Sequence, residues 1–261
     1  MTYSLRLFAS LSCALLLLGG CGSSNNAFQV DPGDMASRFI STESEHDHHP
    51  DSLTAVRFIP KEQQLKVEID PSYSALMRSW SAAPQNVGSG RSNLQYTYAT
   101  FWSLDLVMGS LVANMGIQSL TKDRARQLIA RQRKQYVQTL RIDLYLFGTT
   151  TVLSNASSFI RLETGDGSYR PARVEYGPLR EAFVPGANTV LYRQHTYYFT
   201  REVKGQDLLQ DTDGVELEIR PSASTAELRF QWTWPNPGPD GSAQRRPRDP
   251  VGYHASSNGR E

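Results

Sequence analysis

Along most of the second half of the chain, apolar and polar residues alternate with a period of two, the pattern of a half-buried β-strand. Leu140, Ile142, Leu144 and Leu146 share one phase of a segment that ends at Gly148. Val215, Leu217 and Ile219 alternate with Glu216 and Glu218, and Leu228, Phe230, Trp232 and Trp234 alternate with Arg229, Gln231 and Thr233. The aromatic run 189–203 adds Leu191, Tyr192, Tyr197, Tyr198 and Phe199. Residues 159–162 and 170–176 flank Gly165-Asp166-Gly167-Ser168, a spacing that predicts a hairpin between them. No helical period interrupts these segments, so they are expected to pair antiparallel. The expected fold class is α+β, mainly antiparallel β: an immunoglobulin-like or transthyretin-like sandwich over about 136–235, preceded by a helical region.

That preceding region is mixed. Residues 54–60 and 64–69 alternate around Lys61-Glu62-Gln63, a strand–turn–strand signal. A short helix is expected near 72–80, and 82–93 is rich in Gly, Ser and Pro, which predicts a loop. Residues 94–118 carry one charge, Asp105. Tyr96, Tyr98, Trp102 and Leu104 alternate as in a strand, whereas the Leu, Met and Ala content from Ser103 onward favours a helix. Residues 94–108 thus stay open between strand and helix. Asp105, Asn114 and two glycines favour a buried core segment over a membrane span.

The most regular helix runs from about 119 to 135, with Thr121 as N-cap and Asp123 near its positive end. Lys122, Arg124, Arg126, Arg131, Arg133, Lys134 and Arg141 stand against Asp123 alone between 119 and 141. Helical spacing places Arg124 with Arg131 on one flank and Arg126 with Arg133 on another. With Lys134, these residues form a candidate surface for anionic partners: phospholipid headgroups, lipopolysaccharide phosphates or the chain's own acidic segment. A solvated helix face carries the same pattern.

The whole chain has 261 residues, 39% hydrophobic, enough for one large domain or two small ones. Lys+Arg 27 balance Asp+Glu 26, so no basic excess points to nucleic acid as a partner. The first twenty residues differ from the rest. Arg6 precedes an apolar stretch from Leu7 to Leu18, too short to cross a hydrocarbon core of roughly 30 Å, which predicts a secretory signal.

That stretch ends in Leu18-Gly19-Gly20-Cys21, which resembles the lipobox of bacterial lipoproteins. The resemblance covers only about the first twenty residues. It implies cleavage before Cys21, a diacylglycerol on its thiol, an acylated amino terminus and a place in the cell envelope. Gly22 in place of Asp implies, by the sorting rule of enteric lipoproteins, the outer membrane facing the periplasm. Cys13 would leave with the signal and Cys21 would carry lipid, so no thiol would remain for catalysis, disulfides or zinc. The expected organisation is a signal over 1–20, a lipid-anchored acidic flexible tether over 21–52, a folded β-rich domain over 53–235 and a polar tail over 236–261. That tail holds Arg245-Arg246-Pro247-Arg248.

Six carboxylates face Arg38 alone between 22 and 52, and the densest cluster of metal-ligand types lies there: Glu45, His46, His48 and His49. Imidazole and carboxylate suit zinc, nickel or copper. A flexible run cannot hold ligands in a fixed geometry by itself, so a solvated acidic linker fits the same residues. Elsewhere no nucleophile elbow, zincin motif or phosphate loop occurs. Residues 210–214 resemble the middle of a calcium loop, but that register would put Leu209 and Arg220 at two main ligand positions, and an Asp-Gly turn fits better. His195 sits in an aromatic strand, and Glu216 and Glu218 share a strand face, as a glycosidase pair or a solvated sheet face would. The expectation is a lipid-anchored envelope lipoprotein acting as a non-catalytic binding or structural module for an envelope protein or glycan, with no cofactor beyond its lipid. A periplasmic metal-binding protein and an envelope hydrolase are the alternatives.

Overall fold

The computed structural model describes residues 30–37, 40, 43–87, 96–148, 158–186, 188–221 and 227–235. The alternating segments assemble into two six-stranded sheets. The first runs β1 (Glu43–Glu45), β16 (Glu227–Thr233), β15 (Gly214–Pro221), β8 (Ser158–Thr164) and β9 (Gly167–Tyr169), with β5 (Gln85–Val87) also on β16. The second runs β10 (Arg173–Tyr176), β12 (Asn188–Thr200), β7 (Thr139–Gly148), β6 (Tyr98–Phe101) and β4 (Ser81–Ala82), with β11 (Arg180–Val184) also on β12. Two small hairpins, β2 (Val56–Pro60) with β3 (Leu65–Ile69) and β13 (Glu202–Val203) with β14 (Gln206–Asp207), complete the strands described. Every ladder among the described residues is antiparallel except β1 on β16, which is parallel.

The period-two pattern decides what is buried. On β16, Leu228, Phe230 and Trp232 are buried while their neighbours are half-exposed. They join Leu162, Leu217 and Ile219 of the first sheet and Phe101, Leu140, Ile142, Tyr197 and Phe199 of the second in one core cluster. Such a shared core is compatible with a β-sandwich. Trp232 also donates its indole N–H to the Trp80 carbonyl at 3.0 Å, so the aromatic ring is buried without an orphaned donor.

Four helices are described: α1 (Pro32–Ser37), α2 (Tyr73–Ser79), α3 (Leu104–Met115) and α4 (Lys122–Tyr136). The open question over 94–108 resolves into both answers: strand to Phe101, then helix from Leu104. Ser103 caps α3 by accepting the Leu106 N–H, and Gly116, at φ +55°, ends it in the left-handed region. Asp105 is fully buried in the first turn of α3. It is tolerated there because it accepts the backbone N–H groups of Thr54, Ala55 and Val56 and the Thr54 hydroxyl, at 3.0–3.2 Å.

Three expectations need correction. The strand returning from the Gly165–Ser168 turn is the short β9, not 170–176; the chain then crosses over, and β10 joins the second sheet on β12. A turn motif fixes where the chain reverses but not how long the return strand stays. The loop expected over 82–93 contains β5 at its start. The flexible tether expected up to 52 does not reach that far. Residues 43–45 form β1, His46 donates its N–H to the Thr233 carbonyl, and Leu104 donates to the Pro50 carbonyl. The acidic segment is pinned by charge as well: Arg201, 3% exposed, pairs with both Asp51 and Asp207. The Tyr136 hydroxyl donates to Asp51 at 2.8 Å. Cys21, the signal and the tail beyond 235 lie outside the described residues.

Candidate functional site

The second sheet has an outer face, made by the residues that alternate with its core positions. The strand register sets this face in rows. Tyr198 lies opposite Arg141 and Arg173, Thr196 opposite Asp143 and Glu175, Gln194 opposite Tyr145, and Tyr192 opposite Phe147 and Arg180. The apolar rows are covered: Tyr98, Tyr145, Phe147 and Tyr192 form a second core cluster with Met35 and Ala36 of α1. The polar rows instead border hollows, with Arg141, Gln194 and Tyr198 half-buried above a buried Asp143 and Thr196.

Asp143 organises the polar half. Although 1% exposed, it accepts five hydrogen bonds from four side chains: Trp102 Nε1 at 2.9 Å, Arg141 Nε at 3.0 Å and Nη2 at 2.7 Å, Gln194 Nε2 at 3.0 Å and Thr196 Oγ1 at 2.8 Å. Arg141 also lies over the Trp102 ring, 3.9 Å from its centroid. Burial works against the Arg141 charge, but the charge and hydrogen bonds of Asp143 outweigh it and raise the guanidinium pKa. The next row continues the pattern, with Arg173 over the Tyr198 ring at 3.9 Å and the Tyr198 hydroxyl donating to Glu175.

Arg141 borders two hollows. One, of about 230 Å³, is lined by Trp102 and Tyr198 with Gln132, Gln135 and Tyr136 of α4. The other, of about 320 Å³, is lined by Glu175, Tyr176, Arg180, Gln194 and Thr196. The Thr196 and Tyr198 hydroxyl protons are committed to Asp143 and Glu175. Amide and guanidinium groups keep further N–H protons, and these beside aromatic rings suit a ligand rich in acceptor oxygens, such as a carbohydrate or a carboxylate-bearing chain. The acceptor sites of Asp143 are taken up by its five donors, so its role is to hold those donors in place. Sequence reasoning missed this groove. One signal was available, a charged pair, Arg141 and Asp143, in the outward phase of an otherwise apolar strand.

The metal-ligand candidates disperse. His46 stacks on Trp80 with ring centroids 3.5 Å apart, and Ser44 Oγ lies 2.9 Å from its Nε2. Burial, then the neighbouring His48, push its pKa down to about 3. His48 Nε2 lies 3.7 Å from Asp105 Oδ2, and His49 Nε2 lies 3.1 Å from the Leu209 carbonyl with its ring edge-on to Trp234. Glu45 lines a cleft with His46, and the His46 and His48 ring centroids stand 6.5 Å apart. Among the described residues no group of three or more His, Cys, Asp or Glu converges as a metal site. The three imidazoles instead fasten the 43–52 segment to the domain.

The Glu45 cleft, about 590 Å³, lies on the first sheet, with Glu163, Asp213 and Glu216 among its lining residues. Burial raises the Glu216 pKa, opposed by Arg229 at 3.6 Å and assisted by Glu218, Glu163 and Glu227. Glu218 meets Arg220 at 2.6 Å, so the strand-face carboxylates form an ion-paired ladder. His195 is 1% exposed with neither ring nitrogen hydrogen-bonded. Burial, then Arg193, push its pKa down to about 4. Its ring meets the Tyr176 ring edge-on with centroids 5.0 Å apart, and among the described residues no hydrogen bond orients it as a catalytic base. The 210–214 segment turns on the Thr212 hydroxyl, which donates to the Gly214 carbonyl at 2.7 Å.

On α4, the buried side is Ala125, Ile129 and Tyr136. Arg124, Arg131 and Lys134 are exposed on the opposite side, while Arg126 and Arg133 are half-buried along the flank. Arg126 lies 3.8 Å from Asp123. Arg141, counted among the helix cations in sequence, belongs to β7. The chain matches no known protein family, curated protein or solved structure.

Proposed function

We propose that this chain is a lipid-anchored lipoprotein of the bacterial cell envelope, and that its β-rich body is a non-catalytic binding module. The observation that carries the binding role is the split outer face of the second sheet. Its apolar half is closed by α1, and its polar half, organised by Asp143, is left as a groove of donors and aromatic rings around Arg141. The ligand this chemistry favours is an envelope glycan or an acidic stretch of an envelope protein. The lipobox residues Leu18-Gly19-Gly20-Cys21 support the anchor, and Gly22 supports outer-membrane residence. The two sheets with one core favour an immunoglobulin-like or transthyretin-like sandwich for 136–235.

Crosslinking and affinity capture of the tagged, lipidated protein from native membranes tests this reading. Wild type is expected to retain a specific partner that Arg141→Gln and Tyr198→Ala both lose, with a folded circular-dichroism spectrum for each. Equal capture by all three proteins overturns the groove as the binding site.

A further inference from the structure

We infer that the exposed stripe of Arg124, Arg131 and Lys134 on α4 docks against an anionic phospholipid surface, so that the domain lies on the membrane that anchors it. This rests on the lipid-anchor reading. The first argument is reach. Because α1 packs on the second sheet and residues 43–52 are fastened to the core, only residues 22–29 separate Cys21 from the first described residue, Val30. Fully extended, such a stretch spans about 30 Å. A folded body of this size is itself roughly 40 Å across, given a radius of gyration near 16–17 Å. The leash is shorter than the body it holds, which keeps the protein surface within contact range of the headgroups.

The second argument is charge. Arg124, Arg131 and Lys134 enter no ion pair among the described residues. They share the face of α4 opposite its buried side, and Val137, 53% exposed, follows directly after the helix. The cleft on the first sheet has the opposite character, with Glu45, Glu163, Asp213 and Glu216. An anionic surface attracts the first face and repels the second. Short leash and charge asymmetry together select the α4 side as the one that meets lipid.

After cleavage and acylation, no free thiol remains in the chain, so single cysteines can report position. Gln127→Cys lies on the exposed stripe and Ser168→Cys on β9 at an edge of the other sheet. Each would carry a fluorophore on the full lipidated protein, reconstituted into vesicles that hold a headgroup-level quencher. The vesicles are phosphatidylcholine alone or phosphatidylcholine mixed with phosphatidylglycerol. The expected result is several-fold stronger quenching at 127 than at 168, confined to the anionic vesicles. It should fall in high salt and in the Arg124→Glu, Arg131→Glu, Lys134→Glu variant. Equal quenching at the two positions, or quenching insensitive to lipid charge, on a protein that still floats with the vesicles overturns the docking alone. Absence of acyl mass on Cys21 overturns the anchor reading and the leash with it.

Discussion

Asp143 sits beneath the surface of its sheet and accepts hydrogen bonds from Trp102, Arg141, Gln194 and Thr196. Removing it leaves the half-buried Arg141 cation without its counter-charge and three neutral donors without an acceptor. Asp143→Ala should therefore lower stability by about 3–5 kcal/mol, the range for breaking a buried pair, read as a drop in urea midpoint. A loss under about 1 kcal/mol would show that the network holds without its centre. Two histidines make a different statement. His46 is held near pKa 3 and His195 near 4, against an ordinary value of 6.5. Between those values the unfolded chain binds protons that the folded chain refuses. Stability is therefore complete above about pH 6.5 and falls on acidification, by about 1.4 kcal/mol per pH unit for each histidine until its folded pKa is passed. Denaturation midpoints taken from pH 7 to 4.5 should show this slope. Because neither nitrogen of His195 has a partner, His195→Leu should leave stability at pH 7 within about 1 kcal/mol and flatten the acid limb.

At the scale of elements, the segment 43–52 departs furthest from its sequence. Its composition is that of a solvated linker, yet it supplies β1, the Trp80 stack of His46 and the Asp51 carboxylate that meets Arg201. No local pattern encodes a contact between positions 51 and 201, whereas period-two strands such as β7, β15 and β16 and the amphipathic α4 are legible because their partners impose one simple rule of burial. The short strands β4, β5 and β11 follow the same logic in reverse: each exists because a longer neighbour offers an open edge. The groove was illegible for a related reason, since Trp102, Asp143 and Gln194 meet only once strand order and register are known. Asp51→Ala should destabilise the fold by about 3–5 kcal/mol, since Arg201 stays buried with one carboxylate fewer. It should also open 43–52 to limited proteolysis; an uncut segment at unchanged stability would contradict this. Gly33 belongs to the same argument. A Cβ there would press into the Phe183 carbonyl oxygen, so α1 could not keep its seat on β11. Gly33→Ala should reduce stability by about 1–3 kcal/mol, with faster hydrogen exchange confined to α1 and the strand beneath it.

Taken as a whole molecule, the two sheets share one core, and Trp232 lies within it. Trp232→Ala should remove about 3–5 kcal/mol, and fluorescence and circular dichroism should still report a single coincident transition. Two separated transitions would mean that the sheets unfold independently. The parallel pairing of β1 with β16 has a mechanical consequence. It joins the first strand described to the last, side by side and pointing the same way. A tension that enters through Cys21 and is resisted beyond position 235 would slide these strands past one another. Their ladder hydrogen bonds would then strain together, whereas an antiparallel hairpin pulled at its open end yields one bond at a time. A protein moored at one end and gripped at the other would thus meet a pull in shear, with the three residue pairs of this ladder loaded together.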